Sequence, residues 1–266
     1  MASNNDSIQK TITVALALCL VCSIFVAAAA VGLKPIQSAN KDLDRKRNIL
    51  SAANMLDAST SVDEVFERIE TRLVNLETGV FATQEELDAA GISPDTYDQQ
   101  AAAKDPALSV ALAGANDPAS IKRRAKFASV YLVKSDAGID RVILPVHGYG
   151  LWSTMYGFIA LENDFDTVIG FGFYDQGETP GLGGEVDNPN WKALWEGKKV
   201  YNDQGEAVIQ LAKGGVDSAD PQAIHKVDGL SGATLTSRGV TNLVQYWLGE
   251  EGFGPFLSVL RSEGAQ

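Results

Sequence analysis

The sequence predicts an α+β protein: a single N-terminal transmembrane helix, then a domain with a mostly antiparallel sheet and flanking helices. Three observations carry this. Residues Thr11 to Leu33 hold no charge. Between Lys126 and Tyr174, β-type runs follow one another with short turn signals between them, as hairpins do. Amphipathic helical patterns flank those runs in the chain.

Composition bounds what such a chain does. Its 266 residues leave room for one anchor and one ordinary domain, and 45% hydrophobic content is enough to bury a core. With 22 Lys and Arg against 34 Asp and Glu, the net charge of −12 repels phosphate backbones, so no nucleic-acid partner is expected. Cys19 and Cys22 lie inside the apolar run and read as small hydrophobes, not as a redox or metal pair. No other cysteine exists to frame disulfides, and His147 and His225 lack metal-ligand spacing, so no metal is expected.

After a tail over residues 1–10, the 23 residues of 11–33 form the anchor. As a helix they span roughly 35 Å, against a hydrocarbon core of roughly 30 Å. Ala27 to Ala30 offers a small-residue cleavage site, but the apolar run exceeds a signal core of roughly 7–15 residues, which favours an uncleaved anchor. Lys34, Lys41, Arg45, Lys46 and Arg47 follow it, so the positive-inside rule alone would put the domain in the cytoplasm.

Residues 34–125 read as a helical linker and insertion region. Gln37 to Leu56 is a charged amphipathic helix. Ser61-Val62-Asp63-Glu64 is a capping-box pattern that predicts a helix to about Arg72, and Thr83-Gln84-Glu85-Glu86 repeats it before a short helix. Ala90 to Ser120, rich in Ala, Asp and Pro, reads as loops and turns of a surface insertion. Residues 126–266 form the main domain. Lys126–Lys134 and Ile139–Val146 make a hairpin across Ser-Asp-Ala-Gly, and Met155–Leu161 and Thr167–Tyr174 make a second pair. A short helix over Asn190–Trp195 and a strand over Ala207–Ala212 follow. Thr236–Leu248 closes the set as a helix with Val240, Leu243, Val244 and Trp247 on one face.

The chemistry concentrates in Asp228-Gly229-Leu230-Ser231-Gly232-Ala233-Thr234-Leu235-Thr236-Ser237. Gly229 and Gly232 permit a tight turn and close backbone approach. Hydroxyls of Ser231, Thr234, Thr236 and Ser237 surround a helix start, where unpaired N–H groups and the dipole favour an anion. The residues alone leave two readings open: a phosphate seat, or a Ser/Thr helix cap after a turn.

This run resembles the recognition sequence of the bacterial flavin transferase: Asp, two variable residues, Ser or Thr, Gly, Ala, Thr. The resemblance implies FMN joined through its phosphate to the hydroxyl of Thr234, with Asp228, Ser231, Gly232, Ala233 and Thr234 read by the transferase. Glu178-Thr179-Pro180-Gly181-Leu182-Gly183-Gly184 resembles the ETPGLG loop of the same FMN-binding domains. It implies Gly181 and Gly183 bringing backbone close to a planar ligand, Leu182 against the ring, and Glu178 and Thr179 bonding its polar edge. Many relatives carry His shortly before this Glu, where this chain has Gln176-Gly177.

His147-Gly148-Tyr149-Gly150-Leu151-Trp152-Ser153-Thr154-Met155 is similar to the GxGLWSxM stretch of the C-subunit family of the sodium-translocating NADH:quinone oxidoreductase. The run is no dinucleotide fingerprint, since the third glycine is absent, and Ser153 is no nucleophile elbow. Trp152 either flanks the flavin or belongs to the core. Lys213, in Ala-Lys-Gly-Gly, lies where that family carries Lys; it either pairs with flavin N1 or is solvated. Ser153, Ser231, Gly232, Ala233 and Thr236 complete the implied FMN contacts.

The resemblance covers nearly the whole chain and implies an electron-transfer subunit with no independent catalysis, fixed in the bacterial inner membrane by residues 11–33, its FMN domain periplasmic. Its implied partners are the other membrane subunits and, during maturation, the flavin transferase. Alternatives are the FMN-carrying G subunit of an Rnf-type ferredoxin:NAD complex, a cofactor-free periplasmic binding or assembly module, and a hydrolase using Ser153 or Thr234.

Overall fold

The computed structural model describes residues 7–56, 60–136 and 138–264, so part of the N-terminal tail and Ala137 of the expected hairpin turn lie outside the described residues. The chain divides into two compact units, Met1–Asp44 and Arg45–Gln266. One helix, α1, runs Ile8–Ala52 without interruption. The expected anchor and the expected amphipathic helix are thus one element. Pro35 lies inside it; the missing N–H leaves one carbonyl, that of Val31, without its helical donor, and the helix continues past that loss.

The elements that follow are α2 (Val62–Phe66), β1 (Ile69–Asn75), β2 (Val80–Phe81), α3 (Gln84–Ala90), α4 (Gln99–Ala102), β3 (Ser109–Ala111) and β4 (Arg123–Ala125). Then come β5 (Phe127–Ser135), β6 (Gly138–Tyr149), β7 (Thr154–Glu162), β8 (Val168–Asp175), α5 (Pro189–Ala193), β9 (Gln210–Ala212), β10 (Lys226–Asp228), α6 (Thr234–Leu248) and α7 (Gly254–Gly264). The main sheet has the order β2-β1-β5-β6-β7-β8, antiparallel throughout. β9 and β10 form a parallel pair, and β3 and β4 an antiparallel one.

The helix expected from Ser61 to Arg72 is corrected. Its cap exists, since the Ser61 hydroxyl accepts from the Glu64 N–H at 3.3 Å, but α2 lasts one turn. Ile69–Asn75 instead pairs residue for residue with Val133–Phe127 of β5. Backbone pairing and burial of Ile69, Leu73 and Val74 override the local helical signal. The region read as linker therefore supplies two strands of the main sheet. α3 does carry the full capping box, with the Thr83 and Glu86 side chains bonded to each other's backbone N–H.

Both faces of the sheet are covered, which is why β5 to β7 read as nearly continuous apolar runs. Val130, Leu132, Val142, Leu144 and Ile159 pack under α6 and α7. Tyr131, Ile143, Phe158 and Ala160 face the other way, against Ile49, Leu50 and Ala53. α6 rests on β6 at short range. A Cβ on Gly148 would come within 2.5 Å of the Leu243 Cβ, and one on Gly239 within 2.5 Å of the Tyr149 carbonyl oxygen. The Trp247 indole N–H donates to the His147 carbonyl at 2.7 Å. That bond pins the last turn of α6, and the Gly239 contact sets its start beside the loop that follows β6.

Candidate functional site

Three loops meet at the start of α6: residues 150–153 after β6, residues 176–184 after β8, and the turn from Asp228 to Ala233. That turn is tied down from several sides. Gly229 N–H donates to the Ala212 carbonyl at 2.9 Å, and the Leu230 N–H donates to the Ser237 hydroxyl at 3.0 Å. Gly232 takes φ +72°, a conformation natural to glycine. The N-cap of α6 is Ala233, which makes no side-chain cap bond, and Thr234 is the first helical residue. The reading of this run as a Ser/Thr cap is therefore set aside: among the described residues no hydroxyl closes the first-turn N–H groups. Thr236 and Ser237 point inward and are buried, whereas Ser231 and Thr234 are exposed.

Thr234 opens onto a cavity of about 690 Å³ that Lys213, Asp228, Ser231, Gly232 and Arg238 also line. The Asp228 carboxylate accepts from the Val216 N–H at 2.7 Å, and its carbonyl accepts from the Trp191 indole at 2.9 Å. Asp228 thus fastens the loop that carries Lys213, a structural duty beside the transferase recognition expected of it.

Glu178 joins the other two loops. It is 5% exposed, and its carboxylate accepts from the N–H groups of Leu151 at 3.1 Å, Trp152 at 2.9 Å and Ser153 at 3.3 Å, and from the Thr236 hydroxyl at 2.7 Å. Burial pushes its carboxyl up, but the Trp152 N–H, the Thr236 hydroxyl and the Leu151 and Ser153 N–H groups outweigh this and hold it below the ordinary value of 4.5. Both oxygens serve protein donors, so the residue ties the loop after β6 to the first turn of α6. Gly150 and Gly183 make room for it, since a Cβ at either would come within 2.6 Å and 2.8 Å of its oxygens. Gln176, in place of the His of many relatives, accepts from the Glu178 N–H at 2.6 Å and donates to Asp187 at 2.8 Å.

The Thr179–Gly184 loop curls on itself, Leu182 and Gly184 N–H donating to the Thr179 carbonyl at 3.1 and 2.9 Å, with Gly181 at φ +75°. It presents Leu182 outward beside the turn: a Cβ on Gly232 would sit 3.0 Å from a Leu182 methyl. Trp152 is 65% exposed, which removes it from the core, and its carbonyl accepts from the Tyr149 hydroxyl at 3.3 Å. The Ser153 hydroxyl accepts from the Gly177 N–H at 2.7 Å. His147, packed between Tyr156 and Trp247, is pushed down to about 4 by burial against the opposing pull of Asp117. It is neutral at ordinary pH, and among the described residues it makes no hydrogen bond to Ser153 or Thr234.

Sequence reasoning assigned no role to Gly239 or Arg238. Spacing four residues after Thr234 marks Arg238 as its neighbour on one helix face; nothing local marks Gly239, whose need arises from β6, distant in the chain. An exposed hydroxyl, an uncapped helix start, two cations and the apolar Leu182 and Trp152 suit a phosphorylated planar ligand such as FMN.

The FMN-binding domain family matches residues 150–249. The chain is 54% identical to the C subunit of the Na(+)-translocating NADH-quinone reductase of Pseudomonas aeruginosa, over 97% of this chain and 98% of that one. It is 51% identical to that of Vibrio anguillarum, over 99% of each. The crystal structure of Shewanella oneidensis NqrC, 38% identical, superposes with a TM-score of 0.73 over 84% of this chain and 99% of that chain. That of the corresponding Parabacteroides distasonis protein, 28% identical, gives 0.63 over 85% and 97%. Together with the geometry of the site, this likeness along the full length shows that the chain belongs to the C-subunit family of the Na(+)-translocating NADH-quinone reductase.

Proposed function

We propose that this chain is the FMN-carrying electron-transfer subunit of a sodium-translocating NADH:quinone oxidoreductase and that it holds FMN as a phosphoester on Thr234. The observation that carries the attachment is the placement of Thr234: an exposed hydroxyl at the first position of an uncapped helix, opening onto a cavity of about 690 Å³. Relatives 54% and 51% identical over nearly the whole chain are C subunits of the sodium-translocating reductase, which supports this complex over the Rnf-type alternative. The FMN-binding domain match speaks against a cofactor-free module.

Bound FMN supplies reversible electron uptake and release. The chain's own residues hold and tune it. The Thr234 oxygen carries the ester, and the free N–H groups of the first turn of α6 face the phosphate. Gly229, Gly232 and Ala233 keep the turn small, and Ser231 adds a hydroxyl beside it. Leu182 and Trp152 offer apolar surface to the ring, with Thr179, Gly181 and Gly183 shaping the loop beneath. Lys213 places a positive charge where electron density on a reduced ring would be stabilised. A covalent link keeps a soluble nucleotide from escaping an open compartment.

Asp228, Ser231, Gly232, Ala233 and Thr234 present themselves to the flavin transferase on one turn at the cavity mouth. The N-terminal helix holds the chain in the bilayer, and the other subunits of the oxidoreductase are its partners. The FMN domain lies in the periplasm.

Intact-mass measurement of the full chain, co-produced with the transferase, tests the attachment. Wild type gains one FMN phosphoester and shows a fluorescent band on a denaturing gel. Thr234→Ala loses both while keeping its fold by circular dichroism; a retained increment would move the linkage elsewhere.

A further inference from the structure

We propose that Arg238 is an anion contact of this site, its guanidinium pairing with the phosphodiester that joins the flavin to Thr234. The inference rests on that attachment and deepens it. Arg238 follows Thr234 by one helical turn, so the two share a face of α6. Helical side chains lean toward the N-terminus of their helix, which carries Arg238 back toward Thr234. Both residues line the same cavity of about 690 Å³, as does Lys213.

Charge accounting supports the pairing. In a chain of net charge −12, carboxylates for Arg238 to pair with are plentiful, yet among the described residues it makes no ion pair or hydrogen bond. The one carboxylate in the cavity wall, Asp228, accepts the Val216 N–H. The cavity therefore carries two cations against one acid, the reverse of the chain as a whole. A phosphodiester keeps one negative charge and two free oxygens, which a guanidinium fork meets in bidentate fashion. The family match over residues 150–249 covers every one of these groups, so a flavin nucleotide is the anion at hand.

The test uses the full chain in detergent, co-produced with the flavin transferase, as wild type, Arg238→Gln, Arg238→Lys and the remote surface control Lys104→Gln. Intact mass reports attachment, and phosphorus NMR reports the environment of the diester. The expected result is an unchanged mass increment in all four, with the phosphorus resonance displaced in Arg238→Gln, partly restored in Arg238→Lys and unmoved in the control. A resonance unmoved in Arg238→Gln, with the increment present, overturns the role of Arg238 while leaving the attachment intact. Absence of any increment in wild type overturns the attachment and this inference with it. If Arg238→Gln alone takes up no flavin, Arg238→Lys decides: loading recovered by lysine supports a required positive charge, and loading absent there too overturns the proposal.

Discussion

Glu178 shows how one side chain can hold distant loops together at the site. Its four donors come from residues 151–153 and from Thr236, two distant parts of the chain that its carboxylate ties together. Glu178→Gln replaces an acceptor-only group with one that presents N–H donors to other donors, at a cost of roughly 1–3 kcal/mol. The pH dependence has a definite sign. The folded carboxyl lies below the ordinary value of 4.5, so its contribution to stability is present above that value and is lost as pH falls through it toward the folded value. Thermal melting of the wild type between about pH 5 and pH 3 should therefore fall more steeply than that of Glu178→Gln; parallel curves would show that Glu178 is not charged in the fold. The role of Glu178 was not legible in the sequence because its partners lie 25 to 58 residues away. That the turn from Asp228 leads into a helix start was legible because these residues are contiguous.

At the scale of elements, the seating of α6 on β6 decides whether the site exists. Gly239→Ala sets two effects against each other. Alanine in a helix interior gains about 1 kcal/mol over glycine. The new methyl would stand 2.5 Å from the Tyr149 carbonyl and 3.0 Å from the Gly150 Cα, both backbone atoms that cannot swing away. Overpacking of this kind costs about 1–3 kcal/mol, so the net change is destabilising. Denaturant unfolding should show a lower midpoint, and flavin loading should drop with it because Gly150 begins the loop that Glu178 holds. An unchanged midpoint would mean that α6 shifts freely on the sheet. The strands β5 to β8 were readable from composition and turn signals. β1 was not, since Ile69–Asn75 follows a genuine helix cap and becomes a strand only by pairing with β5. α7 was missed because its Gly-Pro start reads as a turn, and its helix is settled by Phe256, Leu257 and Leu260 packing into the core.

At the scale of the molecule, α1 is the one described helix long and apolar enough to cross a membrane, with a mean hydropathy of 2.8 over its most apolar window, none of it buried within the protein. Its composition made this apolar helix plain in the sequence. Orientation was not plain, because the basic residues after Lys34 argue against the proposed periplasmic placement. Protease treatment of intact spheroplasts should remove the domain and spare the anchor; protection until the cells are lysed would reverse the topology. The four tryptophans are distributed unevenly over this molecule. Trp191, Trp195 and Trp247 are enclosed by the core, and Trp152 stands in water. Their emission should separate accordingly, the solvated indole alone forming the long-wavelength shoulder. That shoulder is an intrinsic optical reporter: acrylamide would extinguish it selectively, and maturation of the protein would dim it while the blue component persisted.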